Sequence, residues 1–180
     1  MIRGERIVLT ALDKANMDTV RGWLNSPEVN RHLLTGHIPV TVEEEVSFYE
    51  RMAASSTDHV LEIHLAEDMR LIGHVGLHGV DMVHRTGELG IFIGEVSLHG
   101  QGLGRDAIVT MLGFAFDTLG LHRVLIRARG DNERGLHLYR AVGFTECGVD
   151  REAVFGEGRF FDEVRLDMLE AEYRSRYSAS

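Results

Sequence analysis

The stretch "HGQGLGRDA" (99–107) puts three glycines in five positions immediately ahead of an amphipathic segment. A glycine loop opening a helix leaves first-turn backbone N–H groups unpaired. With the positive end of the helix dipole, those groups can hold a pyrophosphate. Gly100, Gly102 and Gly104 also remove the side chains that keep phosphates away from a backbone, and Arg105 adds a cation in the first turn. A plain turn into a helix uses the same glycines, so they do not separate the two readings alone. The pattern is neither GxxxxGK[ST] nor a fingerprint opening a first strand, so nucleotide hydrolysis and dinucleotide binding both fall. A second stretch, "NERGLHLYRAVGF" (132–144), reads as a short helix capped by Asn132 and ended by Gly143. Tyr139 lies beside its apolar stripe. Taken singly, Tyr139 reads as a core aromatic with one polar end and Asn132 as a cap.

The elements that must position these pieces follow from periodicity. "ERIVLTAL" (5–12) is a first strand, and Met17, Val20 and Leu24 share a helix face behind Asp13 as N-cap. Residues 26–40 are irregular and hold both prolines, and 41–55 form a second helix with Thr41 and Glu44 in capping-box spacing. Segments 59–67, 70–81 and 85–95 are β-rich with turn-sized gaps, an antiparallel meander. Leu103, Ala107, Met111 and Ala115 recur every four residues, a buried helix of about four turns. Then come a strand at 122–129, the helix carrying Tyr139, and two strands (145–155 and 159–169) joined by "GEGR". The tail from Glu170 is a short helix with a frayed end. The pattern is that of an α/β (α+β) sheet domain, expected as a single domain over 1–180.

In this order and spacing the two glycine- and tyrosine-bearing stretches resemble the acetyl-CoA signature of the GNAT superfamily of N-acetyltransferases. The likeness runs from "RIVLTALDKANMDTVRGWLNSPEV" to "GRFFDEVRLDMLEAEY" and is greatest to the branch of ribosomal-protein N-terminal and spermidine N-acetyltransferases. It implies a mixed, largely antiparallel sheet of about seven strands flanked by about four helices. It also implies transfer of acetyl from acetyl-CoA to a primary amine by direct attack, with no metal and no covalent intermediate. By the same resemblance, Ile91, Phe92 and Ile93 offer backbone groups to the pantetheine arm. His99, Gly100, Gln101, Gly102, Leu103, Gly104 and Arg105 form the pyrophosphate loop, and Asn132 hydrogen-bonds the pantetheine end. Tyr139 then protonates the leaving thiolate as general acid. Glu88 matches an acidic position of this branch and is a base, direct or through water, or else a structural ion-paired residue. The family usually has Gln or Arg in place of His99 and Ser or Ala in place of Gly135. A non-catalytic acyl-CoA-binding sensor or interaction module is the alternative.

The acceptor is a small polycation or a protein N-terminus; the first needs a closed acidic pocket and the second an open groove. Glu28, Glu43, Glu44, Glu45 and Asp162 are candidates for holding it, most of them solvated surface. His74 and His78 lie four apart on one strand, roughly 13 Å, too far for one metal ion. With His64 they read as packed or exposed histidines. Trp23 and the pair Phe160–Phe161 are core or pocket wall. The net charge of −9 disfavours nucleic acid and anionic lipid and favours a cationic partner. A lone Cys147 excludes an internal disulfide framework and any multi-cysteine metal site, and fits a reducing cytoplasm. No run approaches the roughly 20 apolar residues of a membrane span, and the N-terminus lacks the apolar core of a signal peptide. Members of this branch often pair subunits, so a homo-oligomer is possible.

Overall fold

The β-rich segments pair into one eight-stranded sheet in a computed structural model that describes residues 1–34 and 38–177. The strands are β1 (Ile2–Arg3), β2 (Ile7–Ala11), β3 (His59–Leu65), β4 (Leu71–Asp81), β5 (Thr86–Ile93), β6 (Arg123–Arg129), β7 (Thr145–Gly156) and β8 (Arg159–Leu169). Their spatial order is β1-β2-β3-β4-β5-β6-β8-β7. Every neighbouring pair is antiparallel except β5 with β6. The seven expected strands are all there. The eighth, β1, is a two-residue strand that pairs through Ile2↔Leu9 and Arg3↔Val8, too short for an alternation signal.

The helices are α1 (Met17–Leu24), α2 (Pro27–Asn30), α3 (Val42–Ala54), α4 (Leu103–Gly113), α5 (Glu133–Val142) and α6 (Glu170–Tyr177). They number six rather than four, partly because the first helical stretch breaks. Pro27 forces Ser26 to an extended conformation, so α1 ends and α2 restarts with proline in its first turn. The Thr41–Glu44 capping box forms as the spacing suggests. The long helix expected after the glycines is α-helical only to Gly113 and continues as a wider π turn over Phe114–Thr118. A four-residue repeat outruns 3.6 residues per turn. The wide turn takes up the difference and keeps Ala115 and Phe116 buried.

Two layers result. Leu103, Ala107 and Met111 of α4 and Leu136, Tyr139 and Val142 of α5 join Ile63, Val75, Leu89 and Ile126 in the main core. On the opposite face the cross-strand row Glu62–His74–Phe92 looks toward α1 and α3. There His74 lines a cavity of about 10 Å³ with Met17, Val20, Glu45 and Tyr49, room for one water-sized group.

His74 is 7% exposed and its Nε2 has no partner among the described residues. Burial, with the charge of His64 adding to it, lowers its pKa to about 4. The folded chain thus keeps His74 neutral while the unfolded chain protonates it near 6.5. Stability supplied by this residue is present above 6.5 and is lost as pH falls through 4. We expect His74→Leu to remove about 2 kcal/mol of the stability difference between neutral and acidic buffer, read as denaturant midpoints near pH 7 and near pH 4.5.

Candidate active site

The site begins where the only parallel pair among the described strands comes apart. β5 and β6 stay in register from Thr86↔Arg123 to Leu89↔Ile126 and no further. Beyond that point β5 continues to Ile93 against β4, and β6 continues to Arg129 against β8. A V-shaped gap opens between them. Gly94 N–H donates to the Ile72 carbonyl on the β4 side, 2.8 Å, whereas the Ile93 carbonyl is reached from the other side by His99. Backbone groups alternate along a strand, so Ile91 and Ile93 turn theirs into the gap. Phe92, expected with them, turns its backbone to β4 and its ring to His74, 5.5 Å between centroids.

At the mouth of the gap lies the glycine loop. Gly100 (φ 77°) and Gly102 (φ 83°) are left-handed, and a β-carbon on either would meet only open space. The turn therefore demands glycine for its backbone angles and leaves the concavity free for a ligand. Gly102 is the N-cap of α4 and offers no side chain, so the amides of Leu103, Gly104 and Arg105 stay free among the described residues. Arg6 donates to the Gln101 carbonyl, 2.7 Å. Asp106 accepts the backbone N–H groups of Glu5 (3.0 Å), Arg6 (2.7 Å) and Ile7 (3.1 Å), fastening the β1–β2 turn to the first turn of α4.

His99 fastens the other side. Arg134 donates to its Nδ1 at 3.1 Å, so Nε2 carries the proton and donates to Ile93 O at 2.8 Å. Its backbone N–H goes to Val96 O, 3.0 Å. His99 thus clamps the loop to the end of β5.

Helix α5 forms the far wall. The Asn132 carbonyl oxygen accepts Gly135 N–H at 3.0 Å, leaving its amide nitrogen without a partner among the described residues. A β-carbon at Gly135 would lie 2.6 Å from that nitrogen, so this cap and a glycine at 135 go together. Tyr139 is 8% exposed, edge-on to Phe144, with no hydrogen bond from its hydroxyl to a described residue. Burial raises its pKa to about 12.

The opposite face of β5 is charged. Glu88 accepts from Arg127 Nε at 2.7 Å, and Arg127 also reaches Glu163 at 3.1 Å. Arg129, at the end of β6, is 2% exposed. It pairs with Asp131 (2.6 Å) and Glu157 (3.0 Å) and stacks on Phe161, 4.1 Å away. Arg31 reaches Glu157 (3.2 Å) and His32 approaches Asp131 (3.8 Å), bringing the segment after α2 onto the β7–β8 turn and the loop between β6 and α5.

A cleft between diverging strands, with a free helix N-terminus at one end and a buried phenol along one wall, suits a long phosphorylated thioester. Residues 6–145 match the acetyltransferase (GNAT) domain. The chain belongs to the GNAT acetyltransferase family. It is 27% identical over 173 residues to spermidine N(1)-acetyltransferase of Vibrio cholerae, covering 95% of this chain and 97% of the relative. Alpha/beta-tubulin-N-acetyltransferase 9 of Homo sapiens is 27% identical, with 97% and 86% covered. A crystal structure of the Vibrio cholerae spermidine enzyme with CoA and spermine superposes with a TM-score of 0.87 at 25% identity, covering 93% of this chain and 98% of that one.

In this GNAT acetyltransferase the fold brings together Ile91, Ile93, the 99–105 loop, Asn132 and Tyr139. It does not gather the expected acceptor carboxylates. Glu28 bonds Ser26, Glu44 caps α3, and Asp162 accepts Glu152 N–H in the β7–β8 hairpin. Glu45, on α3, alone of that group is buried, facing the small cavity at His74. Of the aromatic pair, Phe161 is packed under Arg129 while Phe160 is exposed against Phe155. Sequence reasoning missed Asp106, Arg127 and Arg129. Only Asp106 sat inside a motif already singled out.

Proposed function

We propose that the acetyltransferase holds acetyl-CoA in the β5–β6 gap and acetylates the N-terminal amine of a protein or peptide. The observation that carries the donor side is the opening of the parallel pair beyond Leu89↔Ile126, with the free amides of α4 at its mouth. Those amides and Arg105 would take the pyrophosphate, the Ile91 and Ile93 backbone the pantetheine amides, and Asn132 its far end. Alignment of thioester and neutral amine supplies most of the rate, with no metal and no acyl-enzyme.

Tyr139 would lie against the sulfur. A phenol near 12 is a weaker acid than a thiol of about 8.5, so full proton transfer to the thiolate runs uphill. The phenol instead donates a hydrogen bond that strengthens as charge builds on sulfur. Glu88, tied to Arg127, serves as part of the charged wall of the acceptor cleft rather than as a free carboxylate.

The choice of acceptor rests on compensation of charge. A polycation needs several uncompensated carboxylates, yet Asp131 and Glu157 are balanced by Arg129 and Arg31, and Glu88 and Glu163, sharing Arg127, leave a single net negative charge. A single N-terminal amine makes no such demand. The second reading, a polyamine, is favoured by the net charge of −9 and by the end-to-end likeness to a spermidine enzyme. A reducing compartment fits the free, exposed Cys147, and pairing of subunits follows the branch. Initial rates with short peptides bearing free N-termini, spermidine and an aminoglycoside test the choice. Peptides should show the highest kcat/KM; a clear preference for spermidine would select the second reading.

A further inference from the structure

We infer that His78, held by Asp58, is the general base that takes the proton from the attacking amine. The inference rests on the acyl-transfer reading above and adds a residue to it. His78 stands on β4 opposite Glu88 of β5, on the sheet face away from α4. A β-carbon placed on Gly76 would lie 3.2 Å from its Nε2, and one placed on Gly90 would lie 3.5 Å from it. The imidazole therefore covers two side-chain-free positions and reaches from β4 across to β5. Gly90 is the first β5 residue past the last β5–β6 pair, the vertex of the gap. A thioester lying in that gap presents its carbonyl at this vertex, and the amine arrives from the face His78 occupies.

The ring's other nitrogen fixes its chemistry. Asp58 Oδ1 lies 3.2 Å from His78 Nδ1 and accepts Gly79 N–H at 3.3 Å. Asp58 Oδ2 accepts the hydroxyls of Ser55 (2.7 Å) and Thr57 (3.3 Å), and Asp58 N–H donates to Ser55 Oγ, 2.9 Å. These donors hold Asp58 below the usual carboxylate range against the opposing effect of burial. An ionised carboxylate only accepts, so Nδ1 carries a proton, and the neutral form of the ring presents a lone pair on Nε2. Nε2 has no partner among the described residues, and the side chain is 42% exposed, so an amine can reach it. Val60 of β3 borders the same Gly76 position, and Glu88, opposite His78 in the register, is already paired with Arg127, which also holds Glu163.

The proton balance is complete. The amine nitrogen forms the C–N bond, the carbonyl π pair moves to oxygen, and the proton shed by nitrogen passes to Nε2. Collapse re-forms the carbonyl and breaks the C–S bond, and sulfur leaves with the electron pair while the Tyr139 O–H donates to it. His78 returns its proton to solvent and the thiolate takes one, giving amide and thiol. His78 touches the reacting nitrogen; Asp58 acts only through His78 and is a positioning residue.

Three variants and one spectrum test this. His78→Gln should lower kcat/KM about 100-fold near neutral pH and abolish the acidic limb of the pH–rate profile, with the acetyl-CoA Kd unchanged within about twofold. Glu88→Gln should keep that limb. In the ligand-free protein, imidazole nitrogen shifts should report an Nδ1–H tautomer at His78, lost in Asp58→Asn. A His78→Gln enzyme that keeps both rate and limb, a limb that vanishes in Glu88→Gln alone, or an Nε2–H tautomer in the wild type overturns the assignment. Wild-type protein that acetylates no amine overturns the acyl-transfer reading instead, and the tautomer then still decides whether the dyad exists.

Discussion

Tyr139→Phe should lower kcat about 100-fold while the Kd for acetyl-CoA stays within about twofold. The substitution keeps the ring, which is buried against Phe144 and Leu136, and removes one hydroxyl that bonds no described residue. Stability should therefore change little. A hydrogen bond to a charged acceptor contributes about 1.5–3 kcal/mol, and the thiolate carries its charge only late in the reaction. The loss should thus fall on kcat and not on binding. The phenol titration gives an independent check, because burial raises Tyr139 to about 12. Ultraviolet titration of the wild type should show a tyrosine ionising there that the variant lacks. Unfolded tyrosine ionises near 10, so this residue's contribution to stability is complete below 10 and is lost as pH rises through 12. An unchanged kcat would remove Tyr139 from the chemistry.

Asp106→Ala should destabilise the fold by about 3 kcal/mol and weaken acetyl-CoA binding several-fold. One carboxylate receives three consecutive backbone N–H groups from residues about a hundred positions earlier in the chain. Gly4 passes so close that a β-carbon there would lie 2.6 Å from Asp106 Oδ1. Without the carboxylate those amides lose a charged acceptor, the β1–β2 turn loosens, and Arg6 no longer steadies the Gln101 carbonyl in the loop. Asp106→Asn, with one acceptor oxygen left, should fall between. Urea midpoints and calorimetric titration with CoA check both parts. A change below about 0.5 kcal/mol would show that the turn is held by strand pairing alone.

The glycine loop and the Asn132 cap were legible because their geometry is local. Left-handed turns require glycine at 100 and 102, an N-cap requires a residue such as Asn132, and both requirements leave marks within a few positions. The contacts on the opposite face of β4 and β5 were not. His78 and Asp58 are twenty residues apart, and only β3–β4 pairing with the turn after α3 brings them together. Nothing in "VGLHGVD" distinguishes a histidine held by a distant carboxylate from a free surface histidine. Glu88 was visible as an acidic position, but its partner Arg127 lies 39 residues away on a strand whose parallel pairing no local pattern announces. Arg129 ends a strand in the sequence, and its burial follows from Asp131, from Glu157 of the β7–β8 turn and from the Phe161 ring, none of which the strand's own pattern announces. The break of the first helix at Pro27 and the wide turn after Gly113 were both written in the sequence, one as a proline and one as a four-residue repeat.

The most direct test of direct attack on a thioester in the β5–β6 gap is thiol release from acetyl-CoA, followed first without amine and then with the panel of peptides and polyamines. The account predicts no burst of thiol from enzyme and acetyl-CoA alone, then steady release matched by acetylated amine, with intersecting initial-rate lines when both substrates are varied. A stoichiometric burst before any amine is added, or no release with any amine although acetyl-CoA binds, would contradict it.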